Sequence, residues 1–239
     1  MKSELSSVKA IVFDTFGTVV DWRSSIADDL STWGARQGIR AEWLALVDAW
    51  RGRYEPQKDR VRKGEIAWTN IDDLHLDALR SLLPEFGLSR LTEDQILHVN
   101  RVWHRLNGWP DAVQGLQRLK KRFVIGPLSN GNVALLVNMA KHAGLPWDAI
   151  FSCEHFQRYK PHPDTYLGVC RQLYLAPGEV MMCAAHNYDL AAARSLGLKT
   201  AFVPRPTEYG PLQTTDLAPE QDWDVVAADL QSLASQMNA

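Results

Sequence analysis

The rhythm of apolar and polar positions changes twice along this chain. Val8 to Phe13 is a short run rich in β-branched and aromatic residues and reads as a buried strand. It ends abruptly on Asp14, followed by Thr15, Phe16, Gly17 and Thr18. Gly17 permits a sharp turn there, and Thr18 a local hydrogen bond to hold it. From about residue 24 to 106 no strand pattern appears. The apolar spacing predicts four helices, roughly 24–37, 41–55, 66–83 and 92–106. Gly38 stops the first, and Thr92 with Gln95 forms a capping box for the last. From Gly108 onward, strands and helices alternate. A helix opens at Pro110 and Asp111, and Phe123 to Leu128 is a strand ending in Ser129-Asn130-Gly131. A helix then runs to Ala143, followed by a strand over 148–152, a helix over 163–174 and a strand over 180–185. A helix over 190–196, a strand over 200–203 and a last helix over roughly 224–236 complete the pattern. Pro127 is expected at the very end of its strand, because proline removes a ladder donor. Residues 204–219, rich in Pro and Thr, read as a surface loop.

This alternation predicts an α/β fold, a Rossmann-like and mainly parallel sheet with helices on both faces. The helical stretch is an insertion after the first strand, a cap over the carboxyl edge of the sheet. The expected division is a core of residues 1–21 and 108–239 with a cap of 22–107. The cap carries six of the nine tryptophans. Most are expected to fill its interior, and a few to wall a dry pocket against the core.

Composition narrows the function classes. With 239 residues and 46% hydrophobic positions the chain can bury one sizeable core and an inserted unit. A net charge of -2 argues against nucleic acid or an anionic membrane as partner. No stretch approaches the roughly 18 apolar residues of a membrane span. MKSELSSVKA lacks the apolar run of a signal peptide, and three scattered cysteines suit reduced thiols, so a cytoplasmic location is expected. No HExxH or CxxC pattern occurs, so no metal is expected.

Four polar clusters fall at or just beyond strand ends: Asp14 to Thr18, Ser129-Asn130-Gly131, Lys160-Pro161 and Asn187-Tyr188-Asp189. Each alone has an ordinary explanation. Ser129 and Asn130 make good helix caps, Lys160 is a common surface residue, and Asp189 caps the helix it begins. Together, at successive strand ends, they are where open α/β sheets place their ligands.

FDTFGT, LSNG, YKPHPDTY and NYD, in this order, resemble the haloacid dehalogenase superfamily, and in particular its L-2-haloacid dehalogenases. The resemblance implies a HAD-like core, an aspartate nucleophile and no cofactor. Asp14 would attack the carbon bearing the halogen, and water would then hydrolyse the ester. Thr18 would orient Asp14, Lys160 would keep it ionised, and Asp189 would orient Lys160 and position the water. Ser129 would bind the substrate carboxylate, and Tyr166, Thr15 and Phe16 would line the site. The family's halide-binding arginine follows a tryptophan in the second cap helix, which points to Arg51, with Arg53 as the alternative. Asn130 and Tyr188 match the other two members of the halide cradle. In the superfamily's phosphatases the residue two after the nucleophile is a second Asp, which Phe16 replaces. A phosphatase, or a non-catalytic protein that kept the fold, are the competing readings. The family typically reads Ser-Asn-Ala-Trp-Asp before its late acid, whereas this chain reads Ala185-His186-Asn187-Tyr188-Asp189. His186 is either a structural histidine or a pocket residue, placed with Asn187 among the substrate-binding candidates. A small, donor-rich pocket would suit short haloacids, fluoroacetate among them. The implied partners are a 2-haloacid, the halide product and a second copy in a homodimer.

Overall fold

Six parallel strands form the sheet, in the order β5-β4-β1-β6-β7-β8. They are β1 (Ala10–Phe13), β4 (Val124–Ser129), β5 (Phe151–Ser152), β6 (Val180–Ala184), β7 (Lys199–Phe202) and β8 (Val225–Val226). The computed structural model describes residues 5–239. The first four residues, part of the expected core and of the segment read for a signal peptide, lie outside the described residues. Strand order reverses at β1: the chain first builds outward through β4 and β5, then returns to β6 on the other side. Ligand crevices of doubly wound sheets open at such a switch point.

Period two sorts the residues of β1 between two layers. Ile11 and Phe13 join one apolar cluster, and Ala10 and Val12 the other. The first layer lies under α6 (Ala112–Lys120), α7 (Val133–Ala143) and α10 (Leu230–Gln236), which contribute Leu116, Leu135 and Leu233. The second lies under α8 (Pro163–Leu173) and α9 (Asn187–Ser195), which contribute Val169 and Leu190.

The helical stretch between the first two sheet strands begins and ends in a small antiparallel pair, β2 (Val20–Asp21) with β3 (Asn107–Gly108). It contains α1 (Trp22–Gln37), α2 (Trp43–Gly52), α3 (Tyr54–Arg62), α4 (Ile71–Leu82), α5 (Glu93–Asn100) and a 3-10 turn over Arg101–Arg105. Gly38 ends α1 at φ 68, and the Thr92–Gln95 capping box opens α5. The expected helix 41–55 is broken at Arg53. Pro56 lacks an N–H and its ring would strike the carbonyl of Gly52, so one continuous helix is excluded. The helix expected from residue 66 starts at Ile71, because the Asn70 side chain accepts from Asp73 N at 3.0 Å and caps it there.

Three other expectations are corrected. Pro127 sits inside β4, opposite Phe13, rather than at its end. Val124 N donates to Lys9 O at 3.0 Å, so by alternation the nitrogen of Pro127 faces the opposite side. There β5 pairs only from Leu128 onward, and no ladder bond is lost. The helix expected from 224 is preceded by strand β8 and starts only after Asp229, which caps it. The loop 204–219 is not wholly at the surface, since Arg205 and Glu208 are buried.

Candidate active site

The carboxyl ends of β1, β4 and β6 converge on Asp14. Its backbone N–H donates to Cys183 O at 3.0 Å, extending the ladder one residue past β1. The chain then reverses: Gly17 N donates to Val20 O at 3.0 Å, and Val19 N to Thr15 O at 3.0 Å. Gly17 takes φ +86, which favours glycine.

The Asp14 carboxylate is buried and its two oxygens are held differently. Oδ1 accepts from Lys160 Nζ at 2.8 Å. Oδ2 accepts from Thr18 Oγ1 at 2.8 Å and lies 3.0 Å from His186 Nδ1. Thr18 Oγ1 itself accepts from Ala185 N at 2.9 Å, which directs its one proton to Asp14. Burial alone would raise the Asp14 pKa, but Lys160 and His186 overcome it and hold the group far below the usual carboxylate range. Burial likewise opposes the charge on Lys160, and Asp14 with Asp189 raises its pKa nonetheless. Lys160 Nζ bonds Asp189 Oδ2 as well, and Tyr166 donates its hydroxyl to Asp189 Oδ1. Burial lifts the Asp189 pKa against the pull of Lys160.

Beside this cluster opens a cavity of about 650 Å³, with Arg51, Tyr54, His186, Tyr188 and Tyr209 among its walls. The Arg51 guanidinium lies over the rings of Tyr54 (4.2 Å) and Trp22 (5.2 Å). Its Nη1 is buried with no hydrogen-bond partner among the described residues. Burial works against its charge, yet Tyr209, Tyr54 and Glu208 raise its pKa overall, so it stays protonated. Arg53, by contrast, is half exposed and faces Glu85 at 4.0 Å. Phe16 packs edge-on against Trp103 with centroids 5.7 Å apart. Thr15 Oγ1 is buried and unpartnered among the described residues. Ser129 Oγ, also buried, accepts from Gly131 N at 3.2 Å.

One expected pocket residue is committed elsewhere. Asn187 points away from the cavity: its Nδ2 donates to Asp216 and Ala218, and its Oδ1 accepts from Glu220 N and Trp223 Nε1. It ties down the loop before β8, so its placement among the substrate-binding candidates is corrected. Asn130 donates to Tyr54 Oη at 3.2 Å and accepts from Lys160 N at 2.9 Å, bracing the lysine loop.

One acidic residue of the cluster escaped the sequence reading. Glu208 Oε2 lies 2.9 Å from His186 Nε2, and its Oε1 accepts from Trp22 Nε1 at 2.9 Å. No local periodicity marks it. The trace it leaves is Gly17, where an added Cβ would stand 2.1 Å from Glu208 Cδ. Gly17→Ala is therefore expected to lower stability by more than about 1 kcal/mol, through both φ and the clash. A urea titration showing an unchanged midpoint would contradict this packing.

Fold and cluster together define a doubly wound α/β protein with a buried carboxylate at the switch point of its sheet. The chain belongs to the haloacid dehalogenase-like hydrolase family, whose model matches residues 8–197. It is 28% identical to (S)-2-haloacid dehalogenase 4A of Burkholderia cepacia over 96% of this chain and 100% of that one. It is 33% identical to an (S)-2-haloacid dehalogenase of Xanthobacter autotrophicus, over 83% and 76% respectively. A solved L-2-haloacid dehalogenase superposes with a TM-score of 0.94 at 50% identity, covering 97% of this chain and 99% of that one. A solved defluorinating L-2-haloacid dehalogenase superposes equally, 0.94 at 46% identity, covering 97% and 96%.

Proposed function

We propose that this protein hydrolyses short L-2-haloacids to 2-hydroxy acids through an ester on Asp14, without metal or organic cofactor. The observation that carries the reading is the Asp14 carboxylate, held ionised by Lys160 at the sheet edge, with the ring of Phe16 two residues on. Phosphoryl transfer in this superfamily uses a carboxyl at that place to protonate the leaving oxygen, and a phenyl ring cannot. Halide leaves without a proton. Kinship to four haloacid dehalogenases along most of their length supports the same chemistry.

In the first step an electron pair of Asp14 Oδ1 forms a bond to C2 as the carbon–halogen bond breaks. Halide departs with the bonding pair, away from Asp14, so C2 inverts. Arg51, with a free donor in a dry pocket, receives it. Thr15 and Ser129 hold the substrate carboxylate, and Tyr188 closes the mouth. In the second step water attacks Cγ of the ester. Its proton passes to Asp189 and on to the leaving alkoxide as the Cγ–Oδ1 bond breaks. The 2-hydroxy acid leaves with Oδ1, and Asp14 keeps the oxygen of water and gives up that water's second proton to solvent, which restores the carboxylate. The buried, unpartnered Nη1 of Arg51 supports fluoroacetate as one substrate, since fluoride needs strong hydrogen bonding as it departs.

A cytoplasmic homodimer is part of this reading. Its three free, buried cysteines suit a reducing compartment, and no helix among the described residues is long and apolar enough to cross a membrane. The test is halide release with EDTA present, from both enantiomers of 2-chloropropionate, from chloroacetate and from fluoroacetate, beside para-nitrophenyl phosphate with Mg²⁺. Chloride is expected from chloroacetate and from the L but not the D enantiomer of 2-chloropropionate. Phosphate release without halide overturns the reading, and chloride without fluoride removes fluoroacetate.

A further inference from the structure

We propose that His186 is a catalytic residue of the second step, the charged partner of Thr18 in an oxyanion site built around Asp14 Oδ2, and that Glu208 is the positioning residue that holds it there. The inference rests on the dehalogenase reading and concerns how its ester intermediate is broken down.

The two oxygens of Asp14 are not equivalent. Oδ1 meets one cation, Lys160, whereas Oδ2 takes the Thr18 hydroxyl and faces His186 Nδ1. The less encumbered Oδ1 is the nucleophile. Oδ2 then becomes the carbonyl oxygen of the ester. When water adds to Cγ, the carbonyl electron pair moves onto Oδ2, and the negative charge develops between two side-chain donors already in place. When Cγ–Oδ1 breaks, that pair returns to form the new carboxylate. Donors set in advance where charge develops are the requirement for this kind of stabilisation.

The proton on Nδ1 follows from the neighbours. Both ring nitrogens of His186 face carboxylate oxygens, Asp14 at 3.0 Å and Glu208 at 2.9 Å. Burial would favour the neutral ring, but Glu208 and Asp14 raise its pKa well above the usual imidazole range. Alkylation removes the charge of Asp14, and Glu208 is the carboxylate that remains to keep the imidazolium. Glu208 is buried and pinned from its other side by Trp22. Its loop is clamped to the catalytic turn by Arg205, which donates to Thr18 O at 2.9 Å and makes a bidentate pair with Asp111 at 2.7 and 2.9 Å. Gly17 leaves the room Glu208 occupies. A general-base role for His186 is the competing assignment, and it requires Nδ1 to be free of the proton that Asp14 accepts.

Rapid-quench single turnover with chloroacetate separates the two steps, with intact mass reporting the carboxymethyl ester on Asp14. Thermal melts check folding of His186→Ala, His186→Asn and Glu208→Gln. For His186→Ala a near-stoichiometric chloride burst is expected, followed by ester decay slowed on the order of 10²-fold. His186→Asn, which retains a neutral donor, should recover part of that loss. Glu208→Gln gives the pH signature, since His186 then titrates facing Asp14, the substituted amide, Tyr188 and Tyr209. Ester decay in this variant should fall as pH rises and the imidazolium loses its proton. A limb rising with pH assigns His186 as a base and overturns the proposal. Equal slowing of burst and decay, or unchanged decay, overturns it too. No chloride from the wild type would instead overturn the dehalogenase reading beneath it.

Discussion

Asp14→Asn abolishes halide release, with an expected fall of about 10⁴-fold or more. The reasoning is chemical before it is structural. An amide oxygen is a far weaker nucleophile than a carboxylate, and the substitution would also leave Lys160 and His186 facing an uncharged group. The fold should survive, because Asn is isosteric and Thr18 still finds an acceptor. The measurement is chloride from L-2-chloropropionate together with substrate binding by the variant. Binding retained with turnover lost assigns Asp14 to the bond-forming step. A companion measurement uses the wild type in ¹⁸O water under single-turnover conditions. The label is expected in Asp14 and not in the 2-hydroxy acid, because water attacks Cγ and the product leaves with Oδ1. Label in the product would mean direct attack of water on carbon, and the ester mechanism would fail.

Lys160→Met removes the one cation that Asp14 and Asp189 share. Two buried carboxylates are then left beside each other, and breaking a buried pair in this way costs about 3–5 kcal/mol. Turnover at neutral pH is expected to fall on the order of 10³-fold, since desolvation and the like charge of Asp189 now push Asp14 toward its neutral, non-nucleophilic form. The sign of the pH dependence changes with it. In the wild type the Asp14 pKa is depressed, so its contribution to stability is present above the unfolded value near about 3.9 and is lost only as pH falls through the lower folded value. In Lys160→Met only His186 and Thr18 still oppose the desolvation of Asp14, and its folded pKa is expected to lie above the unfolded one. The group then destabilises at neutral pH, and the protein gains stability as pH falls toward the unfolded value. Urea midpoints should rise in both proteins from pH 8 toward about 6.5, because His186 already holds its proton in the fold; from there down to pH 5 they should go on rising for the variant and not for the wild type. The variant's residual activity should in turn increase with pH. Parallel midpoint curves would show that Lys160 is not what keeps Asp14 ionised.

Much of the chemistry was legible from residue types at strand ends. A buried apolar run stopping at Asp14, a second at Ser129 and a third before Asp189 mark places where a parallel sheet must present its carboxyl edge. Phe16 spoke against phosphoryl transfer by its side chain alone. Pro56, Asn70 and Asp229 were equally legible as signals, and they set where helices break and begin. They act through one missing N–H or one cap, which is outweighed easily when a segment is read by its apolar spacing.

What the chain alone determined is the set of local consequences: which runs are buried, where turns are permitted, and which charged groups stand at the ends of strands. Backbone sterics and side-chain chemistry act within a few residues, so the sequence carries them directly. Only the tertiary structure decided which of those groups meet. Asn187 and His186 are neighbours in sequence, yet one ties down a loop and the other faces Asp14. Glu208 joins the cluster from 194 residues beyond Asp14, out of a loop with no periodic signal, because Arg205 clamps that loop to Thr18 and Gly17 leaves it room. Such contacts depend on how whole layers pack, and a buried charge is stable only where packing delivers its partner.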